Sequence, residues 1–364
     1  MPEMDSSTMF NSMKWSLYPT DSFEHFTFEV PWWARIVLLL DFAVFLPLIV
    51  VLNYTLPHVY PVFAITQDEE PMRHGSLNLN DVHKKSSSPF LPRTNTSSPS
   101  AIYRLLVNNG GILANFRGLT LALLQSITTS SLLGYYGRFL GFKYHIGARL
   151  LCSLLTVQFS TLWLHLVIAQ TTNRSFWSRV PPFKRTLQAT WRATILHWAA
   201  VEFTGRFPSM VASRMNIDWP SPGLFGPDNT YSFRLDMAAG DAVFYFKCAA
   251  IIFASVVSSI FFVVPSQVVL LRIQASLLPV EDGTIIPFDR SFKGRIQAAR
   301  MNGRDYATIS DAWRSFSWAN WRGLILLSYK IIFLSLSLIL LMCVVIGLQW
   351  VMIVTQSMEI NEYL

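Results

Sequence analysis

The sequence predicts an all-α membrane protein with six transmembrane helices. Three observations lead there: composition, the length of the apolar stretches and the placement of positive charge. The 364 residues are 52% apolar and only 14% charged, where a soluble chain carries roughly 25% charged residues. The mean hydropathy of +0.36 agrees. This composition argues against a soluble enzyme and against disorder over most of the chain. The net charge of +7 comes from 29 Lys and Arg against 22 Asp and Glu. In a membrane chain that excess belongs to loops on one face, and nucleic-acid binding is not expected.

A spanning helix needs about 20 mostly apolar residues. Segments 31–56, 119–141, 147–170, 241–272 and 324–354 qualify, the second less cleanly because Ser and Thr are mixed in. A sixth segment, 190–212, is weaker and carries Arg192, His197, Glu202 and Arg206. Residues 1–24 form a polar tail without the basic start and apolar core of a cleaved signal. Residues 67–100 and 273–308 read as long polar loops. Residues 213–239, with Pro220, Pro222, Gly223, Gly226 and Pro227, read as an irregular connection. Basic residues concentrate in the loops after the first, third and fifth spans, and the termini are acidic or neutral. The positive-inside rule puts those loops on one side and both termini on the other. That requires an even number of spans, so 190–212 counts as one.

The apolar segments repeat in pairs. Pro47 and Pro265 each sit near the end of a long apolar stretch. Each stretch is followed by a polar loop, then by an amphipathic piece, Ala101-Ile-Tyr-Arg104 or Asp311-Ala-Trp-Arg314. Each piece leads to an aromatic-Arg-Gly step, Phe116-Arg117-Gly118 or Trp321-Arg322-Gly323, which opens the next apolar helix. A fainter copy occupies the middle, with Thr161–Gln170 and Gln188-Ala-Thr-Trp-Arg192. The units are 25–141, 142–239 and 240–364.

Three such units, each with two spans and a short helix between them, resemble the mitochondrial carrier family. The family signature is Pro-x-acid-x-x-base-x-Arg, usually continuing to Gln. Pro265, Arg272 and Gln274 match it, whereas Gln267 and Leu270 stand at the acid and base positions. In the first unit Pro47 matches, with Ile49 and Leu52 in place of the charged pair. In the middle unit Trp163 and Leu166 fall there. The resemblance implies a six-helix bundle with pseudo-threefold symmetry around a central cavity. It also implies solute transport by alternating access across a mitochondrial membrane, the inner in preference to the outer. The same resemblance assigns gate roles to Pro47, Pro265, Gln267, Arg272 and Gln274. The missing charge pairs mean that either the gate is run differently or the fold serves a non-transporting role. Eroded relatives of the outer membrane, acting in protein insertion or fusion or as scaffolds, exemplify the latter.

Polar residues at membrane depth are costly and mark function. Lys330 and Gln125 each lie seven residues after the glycine of an aromatic-Arg-Gly step. They are candidates, with His165, to line the cavity, and a lysine there suits a small anionic solute. The competing reading of Lys330 is a side chain that snorkels to the interface, and that of His165 a satisfied core residue. Asp41 is expected to face the bundle interior or a cation, Lys247 is a further candidate, and Glu202 and Arg206 are spaced to pair. Trp32, Trp33, Trp321 and Trp350 are expected at the interfaces. Cys152, Cys248 and Cys343 show no metal-ligand spacing and read as core residues. No cofactor or metal is expected, no enzyme motif is present, and the expected partners are the lipid bilayer and a small anionic solute.

Overall fold

The computed structural model describes residues 32–67, 96–140, 145–170, 180–216, 242–279, 282–286, 288–289, 292 and 306–362. The described residues are mostly helical and contain no named strand; Ala169 and Thr284 form one isolated antiparallel bridge. The helices are α1 (Trp32–Val50), α2 (Tyr60–Thr66), α3 (Pro99–Gly110), α4 (Leu119–Leu140), α5 (His145–Leu155), α6 (Val157–Ile168), α7 (Phe183–Arg214), α8 (Ala242–Ser258), α9 (Val264–Ser276), α10 (Ile309–Ser315) and α11 (Trp318–Glu362). Three stretches, Trp33–Thr66, Val243–Ser276 and Trp318–Thr355, are long and apolar enough to cross a membrane. The bent pair α5–α6 makes a fourth if taken as one span. These helices mark the chain as a membrane-associated protein.

Prolines shape two of the spans. Val51–Val59 joins α1 to α2 as a π-helical turn that contains Pro57, and Ser259–Val263 joins α8 to α9 just before Pro265. A proline has no N–H to give the preceding turn, and a widened turn absorbs the mismatch without ending the helix. The first span therefore runs to Thr66, ten residues past the expected boundary at 56. The α5–α6 bend of 52° centres on Thr156, whose hydroxyl donates to the Cys152 carbonyl at 2.8 Å. Hydroxyls that bond back to the preceding turn bend helices.

Segment 190–212 lies inside α7, a continuous helix of 32 residues. The expected short piece at 188–192 is part of that helix and not a separate element. No Gly or Pro interrupts the chain from Phe183 to Thr204, so nothing stops the helix there. The other two short pieces are separate. α3 opens with Pro99 in its first turn and ends at Gly111, whose φ of 72° favours glycine. α10 opens with a capping box: the Thr308 hydroxyl accepts from the Asp311 N–H, and the Asp311 carboxylate accepts from the Thr308 N–H at 3.1 Å. Gly118 immediately precedes α4, but Gly323 lies inside α11, which starts at Trp318.

The chain forms two compact units. One is Pro47–Leu338. Its core joins Leu56, Val62 and Phe63 to Ile102 and Leu106 of α3, Leu164 and Val167 of α6, Val268 and Leu271 of α9, and Leu324 and Leu327 of α11. A smaller cluster packs Ala189 and Ala193 of α7 against Val269 and Ile273 of α9, with Phe292 and Ala312. The other unit comprises Met1–Leu46 and Ile339–Leu364. There, Leu38, Leu39, Leu40 and Phe42 of α1 and Leu340, Leu341 and Val344 of α11 are exposed. Exposed apolar helix faces of this kind fit hydrocarbon, where the helix satisfies its own backbone. Cys152 is buried, whereas Cys343 is exposed on α11 rather than in a core.

Candidate functional site

Helices α2, α6 and α9 end at Thr66, Ile168 and Ser276, and all three contact one another. A helix C-terminus leaves its last carbonyls without intrahelical donors and carries partial negative charge. Three such ends gathered together repel one another unless donors are supplied. The Gln274 carbonyl accepts locally from the Leu277 N–H at 3.1 Å, and further donors come from elsewhere in the chain. Arg272 of α9 donates from Nη1 to the Ile65 carbonyl of α2 at 2.8 Å. Arg117, between α3 and α4, donates from Nη2 to the Ala169 carbonyl at the end of α6 at 2.7 Å. His165 of α6 donates from Nε2 to the Gln274 carbonyl of α9 at 3.0 Å. A carbonyl only accepts, so that nitrogen carries the proton. The last third of the chain thus caps the first, the first caps the middle, and the middle caps the last.

Arg272 is the largest wholly buried side chain described. Its guanidinium lies 5.4 Å from the ring centre of Phe288 and 5.5 Å from those of Phe292 and Phe316. Its Nε donates to the Ser315 hydroxyl at 3.0 Å. Ring faces, a hydroxyl and a carbonyl compensate the lost hydration of the cation. Gln274, two residues on, donates from Nε2 to the Ser160 hydroxyl of α6 at 3.0 Å. Polar loop residues close over the α6 end, where Ile285 N–H reaches the Ile168 carbonyl and Gln170 N–H the Gly283 carbonyl, each at 2.9 Å.

A second junction lies beside Arg117. Trp163 Nε1 donates to the Tyr54 hydroxyl at 2.8 Å, and that hydroxyl donates to the Arg117 carbonyl. Gly118 follows with φ of 76°. A Cβ there would sit 2.9 Å from Trp163 Cδ1. Tyr54→Phe removes the central link and strands the Trp163 donor. It is expected to lower stability by about 1 kcal/mol, read as a lower midpoint of thermal unfolding in detergent; an unchanged midpoint would show that the link adds nothing.

The structure brings Arg272, Gln274 and His165 together and separates the other candidates from them. Lys330, half-buried on α11, donates to the Ser97 carbonyl at 3.2 Å. Gln125 is half-buried on α4 and Gln267 half-buried on α9. Pro265 follows the widened turn into α9. Pro47 is exposed on α1, and Pro57, nearer the buried end of that span, lies in the widened turn instead. Asp41, expected to face the bundle interior or a cation, accepts from the Gln349 amide of α11 at 3.0 Å, within the smaller unit. Lys247 donates to the Met215 carbonyl at the end of α7. Glu202 pairs with Arg206, as the spacing predicts, and also with Arg149 of α5. Trp321 is half-buried and packs on Phe316 and Trp313.

Tyr54, Ser315 and Arg149 carry no local sequence pattern that marks them. Phe316, an aromatic two residues after Arg314, had only that position to signal it. Comparison with family models, curated proteins and solved structures finds no match for this chain.

Proposed function

We propose that the chain is a divergent carrier-like membrane protein of a mitochondrial membrane, built from three two-helix units, that moves a small anionic solute by alternating access. The observation that carries this reading is the cyclic capping of the α2, α6 and α9 ends. The family-type gate needs acid–base pairs that this sequence lacks. Here a side chain donates to a neighbouring helix end instead, so each unit is latched to another. Such a latch is reversible, because a donor released from a carbonyl finds water, and each link is worth net about 1–3 kcal/mol. Solute binding of comparable strength can shift the balance between closed and open states. Lys330 is bound to a neutral carbonyl and not a carboxylate, so an anion can compete for it.

One observation favours a second reading, in which the bundle is a non-transporting scaffold of the outer membrane. Arg272 has no exposed surface and is enclosed by three rings. Opening the ring of helix ends there would separate a cation from its whole shell.

The test is uptake into liposomes that contain the purified full chain, across a panel of small anions and nucleotides. Saturable uptake that Lys330→Ala reduces at least tenfold, with the variant folded, is the expected result. Absence of uptake of every solute by folded wild-type protein would favour the scaffold.

A further inference from the structure

Glu202 of α7 is the carboxylate of a three-residue cluster with two cations. Its Oε1 accepts from Arg149 Nη1 at 3.2 Å and its Oε2 from Arg206 Nη1 at 2.6 Å. Arg206 Nη1 also reaches the Glu202 carbonyl at 3.1 Å. The cluster therefore keeps one positive charge in excess. The glutamate side chain is 9% exposed, while each arginine side chain remains 32% exposed. The contacts to Glu202 use only the Nη1 atom of each arginine, and a guanidinium has five N–H donors in a planar fork. The carboxylate fixes two forks beside each other with donors left over for a second anion.

The surroundings say which anion. Arg149 lies in the second turn of α5 and Arg206 about two turns before the end of α7. Phe203, Met210, Ile146 and Leu151, on the same two helices, are exposed. Phe203 meets Phe207 in a tilted pair and Phe262 edge to face, at 5.6 and 4.9 Å between ring centres. Positions 203, 206 and 210 share one face of α7. Arg206 thus shares its helix face with the exposed Phe203 and Met210, and Arg149 shares its face with the exposed Ile146. A soluble anion has no use for the aromatic flank; a phospholipid fits both parts, phosphate on the arginines and acyl chain along the rings.

We propose that Arg149 and Arg206, held side by side by Glu202, form a binding site for the phosphate of an anionic phospholipid on the face shared by α5 and α7. This site is independent of whether the chain transports a solute.

The experiment follows the thermal unfolding midpoint of the full chain in neutral micelles as phosphatidylglycerol, phosphatidylcholine or inorganic phosphate is added. A saturable rise with phosphatidylglycerol alone is expected. Arg149→Gln and Arg206→Gln are each expected to weaken it about tenfold or more, the loss of charge-assisted bonds to one phosphate. Arg138→Gln removes the same charge from an exposed position on α4 and is expected to leave it unchanged. If the glutamine variants do not fold, Arg149→Lys and Arg206→Lys keep the charge on Glu202 but lose the fork, and should bind several-fold more weakly. An equal loss in Arg138→Gln, an equal response to inorganic phosphate or phosphatidylcholine, or undiminished binding in the folded Arg149 and Arg206 variants would each overturn the proposal.

Discussion

Arg272→Ala is expected to destabilise the protein by about 3–5 kcal/mol, the range for emptying a large buried side chain. Three rings would lose the group between them, and the Ile65 carbonyl and Ser315 hydroxyl would lose a donor. The cost is not simply that of one charge. A buried cation carries a desolvation penalty, and a well-packed apolar replacement can recover much of what is lost. Arg272→Met keeps most of the volume and should therefore cost less than Arg272→Ala. Arg272→Lys keeps the charge but not the flat fork that reaches Ser315 and Ile65 together. Unfolding midpoints of the three variants in detergent separate packing from charge. An Arg272→Ala protein as stable as wild type would mean that the aromatic enclosure does not hold the helix ends.

Gly118→Ala should cost about 2–4 kcal/mol, from two sources that can be measured apart. A left-handed backbone costs an L-residue about 1–2 kcal/mol, and Gly118 has φ of 76°. The remainder is steric. The added methyl lies 2.9 Å from Trp163 Cδ1, so the indole must move, and its bond to Tyr54 goes with it. In Gly118→Ala combined with Trp163→Leu, the two effects should be less than additive, because the second change removes the atom that the first collides with. Strict additivity would show that Trp163 does not press on this turn.

Much of the fold is legible because hydrophobic length is a local signal. The spans at 31–56, 241–272 and 324–354 reappear, each longer than its apolar run. The extension to Thr66 was hidden because prolines disfavour a continuing helix, whereas a widened turn carries this one through Pro57. The bend at Thr156 was hidden because it depends on hydroxyl back-bonding and not on Gly or Pro. The site is legible only from one side. A signature-like pattern pointed to Arg272 and Gln274, but Arg272 meets Ile65 from 207 residues away. No periodicity encodes a contact of that range. Asp41 shows the same limit: its cost in an apolar helix was evident, but its partner, Gln349, lies 308 residues on.

The most direct test of the latch is to tie it shut. In a full chain with Cys152, Cys248 and Cys343 replaced by alanine, Ser160→Cys and Gln274→Cys substitute the bonded pair that links α6 to α9. Solute uptake into liposomes is compared before and after a short reducible thiol cross-linker. Uptake that is present, lost on cross-linking and restored by reduction is the expected result. Uptake that continues undiminished through a complete cross-link would contradict the latch.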